Sequence, residues 1–490
     1  MSFNSLNAYL YSKPRILLFY FAVATQLIAS AISSAGFVLS NSPLLLTGCV
    51  VWIVWFVMIF AVILPRTDIS LSKRINQLKR GALIIFISLF VLGLGEAVAV
   101  AILLPRVIQN QNTASDFRQL MTGLKEVYEY NDATALTQQA VENLLKGQNP
   151  YTHANIIEAL SKYKGSYDRD TPIRAVTLSN VFPYPQNNQL EQLWNKAIQN
   201  PSQVPSELES RVCYPAVSFL LPAPFIFLGI TDIRIVYAIF VLAGLAYAVW
   251  VIPKQRRLLF IGAVLISLEL WSSIAGGEVG SLCFPLLLVA WLALNRNLWL
   301  SAIIVGLAVA TKQTAWFFVP FYLVLLLRTQ GVKKLLVVLS VIGCIFNITN
   351  LPFIITDPKL WLASMTSPMT DPMFPIGGGL IALVNGGILH IQSSLPFTIL
   401  EGIVFISAIL WYFRYCRRYP QTGPILAIIP LFFAWRSLWS YFFYVAIILL
   451  AYVMANDDAV RKKIPTNTNP VDKESSSYLE NTLPQKFSVR

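Results

Sequence analysis

The chain has 490 residues, of which 56% are hydrophobic and only 12% charged, and its mean hydropathy is +0.61. Soluble domains rarely combine those values, whereas bundles of membrane-crossing helices do so routinely. The net charge of +13 sits in short connectors such as PKQRR (253–257) and RTQGVKK (328–334), a membrane-topology pattern that argues against a nucleic-acid partner.

In chain order, windows 15–39 and 43–64 are each long enough to cross a hydrocarbon core, which takes about 20 apolar residues. The second follows the first at once, and no short core with a cleavage site is present, so the first reads as a retained helix. With the basic connector RTDISLSKRINQLKR (66–80) they form an N-terminal unit, residues 1–80, whose loop faces the cytoplasm. Window 81–105 opens a second module, 81–455, and delivers the chain outside. Residues 106–212 hold ten basic and eleven acidic side chains, and so read as one large, mainly helical extracytoplasmic loop.

Next comes CYPAVSFLLPAPFIFLGI (213–230), apolar but interrupted by Pro215, Pro222 and Pro224. A crossing here would put PKQRR outside, so the stretch reads as a re-entrant or interfacial helix whose irregular backbone protein covers. Further windows at about 233–252, 258–276, 280–295, 298–312, 315–328, 334–353, 397–415, 423–436 and 439–455 complete an all-α polytopic protein. The expected total is about 12 crossings, with both termini cytoplasmic. A second outer segment, TDPKLWLASMTSPMTDPMFPIGGGL (356–380), is rich in Pro, Met and Gly, and residues 456–490 read as a disordered cytoplasmic tail. The long loop has no paired cysteines, with Cys213 alone at its end, and no Asn-x-Ser/Thr sequon, which favours a bacterial plasma membrane.

The stretch YEYNDATALTQQAVENLLKGQNPYT (128–152) carries the most information. Ala133, Leu136, Ala140, Leu144 and Leu145 share a helical face, Gly147 supplies a left-handed stop, and Pro150 bars continuation. Asp132 stands where an N-cap belongs, and its local reading is a cap that stabilises by about 1 kcal/mol. An outer-face acid, a helix and then Gly-x-Asn-Pro-Tyr also resembles the first outer loop of GT-C membrane glycosyltransferases. YPAVSFLLPAPF, GLAVATKQTAWFFVPFYLVLL (306–326) and AWRSLWSYFFY are similar to later segments of that family. The likeness covers most of the chain after residue 81, with the first two spans an addition.

The resemblance implies a polyprenyl-phosphate sugar donor, with mannose or another hexose transferred to an extracytoplasmic glycan, lipid or protein. It implies inversion, and an aspartate acting as general base on the acceptor hydroxyl. That role falls on Asp132, which precedes the Asn-Pro-Tyr turn by the family's helix length, with Asp116 in ASDFRQL as runner-up. No second acid adjoins Asp132 and no Cys/His cluster has zinc spacing, so neither metal nor cofactor is expected. A leaving phosphate needs cations at the depth of the head groups, and topology offers Lys312, Arg436 and Arg211. The competing reading is that these side chains snorkel to membrane lipids. Glu278 in AGGEVGS, Tyr151, Tyr214 and Asp371 are the further substrate-binding candidates.

Other motifs read as structural. PIGGGL (375–380) lacks the Lys-Ser/Thr ending of a phosphate loop and serves as a flexible wall with Asp371 and Met373. Asp168-Arg169-Asp170 spells D-x-D but reads as a solvated turn. A transporter or lipid flippase is the alternative, suited by twelve crossings and by acids in spans, and opposed by the lack of an internal repeat. An O-antigen-ligase-like enzyme would carry its large outer loop late in the chain, and a non-catalytic scaffold is the fourth reading.

Overall fold

Apolar segments of membrane length must satisfy their backbone polar groups internally, and helices do this within one segment. The computed structural model describes residues 3–109, 130–163 and 165–462 and is mainly helical. Asp116 and most of the expected disordered tail lie outside those residues. Residues 1–455 gather into one compact unit that includes the N-terminal hairpin.

Seven helices are long and apolar enough to cross a membrane, and an eighth span results if the bent pair Lys254–Leu265 and Leu268–Ala275 counts as one. That pair turns by 57° at its break, where Ser267 Oγ donates back to the Ala263 carbonyl (2.8 Å) and competes with helical continuation. Four other expected windows are shorter apolar helices: Gly280–Ala293, Leu298–Val309, Thr314–Gln330 and Pro420–Phe432. Residues 213–230 hold two short helices, Val217–Leu220 and Ala223–Phe227. The buried Asn350 side chain anchors them by accepting from the Ala216 N–H (3.0 Å).

The hairpin consists of α1 (Leu18–Val38) and α2 (Ser42–Ile63), the latter capped by Asn41. It is no isolated appendage. Trp52, Trp55 and Phe56 of α2 lie with ring centroids 5.0, 6.3 and 5.7 Å from Phe442, at the start of the last span. Helix α3 (Ile75–Gln109) runs well past the expected window, reaching about 50 Å at 1.5 Å per residue.

The segment between the third and fourth long helices carries α4 (Asp132–Leu145), α5 (Ile156–Lys162) and α6 (Asn187–Gln199), whose buried residues share one core with Phe219, Ile233, Tyr237 and Leu282. Helix α4 closes as its sequence demands: Gly147 has φ +75° and the Gln148 N–H bonds the Asn143 carbonyl (2.9 Å). A buried charge pair ties this segment to α7 (Ile233–Val251). Asp232 caps α7, pairs with Arg234 (2.8 Å) and accepts the Tyr130 hydroxyl (2.7 Å), while the Arg234 guanidinium lies over the Tyr130 ring.

Four extended stretches then pair with one another. The Glu209 N–H bonds the Thr171 carbonyl (3.1 Å), and Ile173 bridges Met373 in antiparallel fashion. Strand β1 (Ile376–Gly377) pairs in parallel with β2 (Arg436–Ser437). Residues distant in sequence thereby meet in one patch.

Candidate functional site

Asn131, not Asp132, is the cap of α4. Its side chain accepts from the Thr134 N–H (2.8 Å) and hydroxyl (2.7 Å), which leaves Asp132 as the first helical residue. Among the described residues the Asp132 carboxylate accepts only from the Ala133 N–H (2.6 Å), and it is partly exposed. The same first turn seats α4 on its neighbour, with the Thr134 hydroxyl shared between Asn131 Oδ1 and the Gly277 carbonyl, next to Glu278. The expected acid is therefore partly exposed beside the cap that holds the helix.

The three expected cations differ in how their charge is used. Lys312 is buried in the link between Leu298–Val309 (α8) and Thr314–Gln330 (α9), with Nζ 4.0 Å from Glu278 and 5.6 Å from the Tyr214 ring centroid. Arg211 is clasped from both sides: its N–H and Nε bond Glu209 Oε1 (2.9 and 3.3 Å), and its other end contacts Asp371. Two carboxylates neutralise it, so Arg211 and Asp371 act as a clasp between residues 207–211 and 371–373. Neither offers the open charge that the sequence reading gave it. Arg436 is partly buried on β2 with Nη1 2.7 Å from Met373 Sδ, and among the described residues it meets no carboxylate.

Tyr151 is also placed differently from expectation. It is buried, its hydroxyl donates to the Tyr214 carbonyl (2.9 Å), and its ring packs edge-on to Phe219 and Phe353. It supports Tyr214 from the core and presents nothing to a ligand. Tyr214 itself is partly buried beside Lys312.

The D-x-D stretch splits into two halves. Asp168 is exposed, accepts from Ser166 Oγ (2.5 Å) and faces Arg169 (3.5 Å), as a solvated turn should. Asp170 departs from that reading. It is only 8% exposed, because pairing of residues 171–173 with 207–209 draws it inward. Neither of its carboxylate oxygens makes a well-formed hydrogen bond. Burial therefore holds the Asp170 carboxyl well above the usual range, and the Asp132 and Glu209 charges push the same way. Glu209 is likewise raised by burial, against Arg211.

These influences define one site. Burial pushes the Cys213 thiol up to about 12, with Glu209 and Asp132 adding to the rise and Lys312 opposing it. Glu278 is raised by burial, lowered by Lys312 and raised again by Asp132. Burial pushes the Tyr184 phenol up to about 12, with Arg436 opposing and Asp170 and Asp132 adding. Asp132 and Lys312 thus both bear on Glu278 and Cys213, and Asp132 and Arg436 both bear on Tyr184. Asp170, Glu209 and Tyr184 were missed in the sequence; the D-x-D spelling was the available signal for the first. Among the described residues no three His, Cys, Asp or Glu side chains form a metal-holding group. A cavity of about 270 Å³ lined by Leu298, Trp299, Lys333 and Val337 lies at the other end of α8 from Lys312 and takes no part.

The fold is mainly helical, with seven helices long and apolar enough to cross a membrane, and the segment that carries α4 to α6 packs against the links between them. Comparison with family models, curated proteins and solved structures returns no match for this chain.

Proposed function

We propose that the chain is an integral-membrane glycosyltransferase of the GT-C kind, moving a hexose such as mannose from a polyprenyl-phosphate donor to an extracytoplasmic acceptor. The observation that carries this reading is one of placement: the first turn of α4, which Asp132 opens, meets the Gly277 carbonyl through Thr134, and the adjoining Glu278 lies 4.0 Å from Lys312 Nζ. Arg436 supplies a second cation, on β2 against Met373. In the proposed step the acceptor hydroxyl oxygen attacks the anomeric carbon and gives its proton to Asp132. The bond from that carbon to the phosphate oxygen breaks, and its electron pair leaves with the phosphate. Arg436 and Lys312 stabilise the charge that develops there. A single displacement inverts the anomeric centre.

Seven helices, or eight with the bent pair, are long and apolar enough to cross; in this reading four of the shorter apolar helices cross as well, which makes twelve. An even count keeps both termini on the cytoplasmic side, where the basic connectors belong, in a bacterial plasma membrane. The outer segment and Asp132 then face away from the cytoplasm. No nucleotide-sugar pool exists there, which is why the sugar arrives on a lipid.

The test uses membranes containing the full chain and radiolabelled polyprenyl-phosphate hexose. Asp132→Asn is expected to lower transfer by about 100-fold or more, the usual contribution of a positioned base. Turnover near wild type would remove Asp132 from the step. Movement of intact lipid without release of polyprenyl phosphate would support the transporter reading instead.

A further inference from the structure

Five arginines lie in or beside the described outer segments, and three of them are neutralised locally. Arg169 faces Asp168, Arg211 faces Glu209 and Asp371, and Arg234 faces Asp232. Arg174 and Arg436 differ, because among the described residues neither meets a carboxylate within ion-pair distance. Both are fixed to the same short stretch, Pro372-Met373-Phe374. The Arg174 N–H bonds the Pro372 carbonyl (2.9 Å) next to the Ile173–Met373 bridge. From the other side Arg436 Nη1 meets Met373 Sδ, and Trp435 Nε1 donates to the Met373 carbonyl (2.8 Å).

The Arg174 guanidinium lies 5.6 Å from the Phe182 ring centroid and 6.0 Å from that of Phe374. Its Nη1 donates to the Gln392 carbonyl (3.0 Å), while its Nε is buried without a partner. Phe374 packs against Tyr184 with ring centroids 5.5 Å apart, and Tyr184 is the group on which both Arg436 and Asp132 act. Residues 387–396 around Gln392 are mostly exposed, so Arg174 belongs to the water side of this patch. The two rings explain why a cation is tolerated there. They leave its charge uncompensated and its planar fork pre-organised for an oxyanion.

We propose that Arg174 is a binding residue for a negatively charged group, phosphate or carboxylate, on the molecule that receives the sugar. Arg436 then serves the donor phosphate and Arg174 the acceptor, one on each side of Met373. The identity of the acceptor rests on the glycosyl-transfer reading. The anion site does not, since it stands on the uncompensated guanidinium alone.

The experiment measures ligand-induced stabilisation of the full chain in phosphatidylcholine nanodiscs, with no donor present. The probes are glucuronate against glucose, which differ in charge, and inorganic phosphate against chloride. Phosphate is read in an Arg436→Ala background, and the part of the response that Arg174→Gln removes is that of the Arg174 site. Glucuronate or phosphate is expected to stabilise the protein saturably while glucose does not. Arg174→Gln, which keeps a planar group over the two rings, should weaken that midpoint about tenfold, the loss of one charge-assisted hydrogen bond. Arg174→Lys should fall between. A response to phosphate alone assigns a phosphorylated acceptor, and a response to glucuronate alone assigns a uronate-bearing one. Midpoints equal in wild type and Arg174→Gln, glucose binding as well as glucuronate, or no response to either anion would overturn the site. Because no transfer is measured, a failed Asp132→Asn test leaves this result standing, and the reverse also holds.

Discussion

Gly378→Ala asks whether the N-terminal hairpin is a wall of the site or a bystander. A Cβ at Gly378 would run into Trp52 Nε1, and would lie 2.8 Å from Trp52 Cδ1 and 3.1 Å from Ser33 Oγ. The indole has no room to retreat: Trp52 is fully buried, with ring centroids 5.5 Å from Trp55 and 5.0 Å from Phe442. Forcing a methyl group into such a core costs about 1–3 kcal/mol. If the loop yields instead, the Gly378 N–H that donates to the Ser437 carbonyl (3.0 Å) moves, and Arg436 moves with it through β2. Melting in nanodiscs and hexose transfer should therefore both fall in Gly378→Ala. Trp52→Phe makes space, so the double variant should be less damaged than the two single effects added, with a coupling of about 0.5–3 kcal/mol. Unchanged melting in Gly378→Ala, or strict additivity in the double variant, would refute the argument that hairpin and loop are one packed unit.

Three further outcomes are expected. Asn131→Ala should cost about 1 kcal/mol of stability as loss of the α4 cap, whereas Asp132→Asn should leave melting nearly unchanged while transfer collapses; equal melting losses in both would return the cap to Asp132. Asp232→Ala leaves the buried Arg234 without its carboxylate and removes the acceptor of the Tyr130 hydroxyl, a loss of about 3–5 kcal/mol readable as proteolysis of the outer segment. Asp170, raised by burial and by Asp132 and Glu209, contributes stability that is full below the unfolded carboxyl value of about 3.9 and is lost as pH rises through its folded-state value. Melting of wild type should therefore decline relative to Asp170→Asn as pH rises from about 4 towards neutrality, and parallel curves would show that Asp170 carries no such linkage.

What was legible in the sequence was local. The stop at Gly147 and the spans Pro14–Val38, Ser42–Ile63 and Ile233–Val251 follow from neighbouring residues and are found within a residue or two of where they were expected. Asn131 and Asp132 are adjacent cap formers, and a one-residue register choice decided between them. The window 258–276 looked continuous because its break lies in a single serine bonding backwards at Ser267. What was not legible depends on pairing across long separations. Asp170 is buried because residues 171–173 meet 207–209, and Arg211 is silenced because Asp371 arrives from beyond ten further helices. A lone D-x-D or a lone arginine carries no trace of those partners.

The contact of Trp52 and Trp55 with Phe442 also bears on how the protein is made. At roughly 5–20 residues per second, the hairpin leaves the ribosome some 20–80 s before the stretch that covers its tryptophans. During that wait two large indoles lack the partner that buries them in the finished fold. A chain that stalls before position 440 would leave that face bare, a ready signal for quality-control proteases to act on.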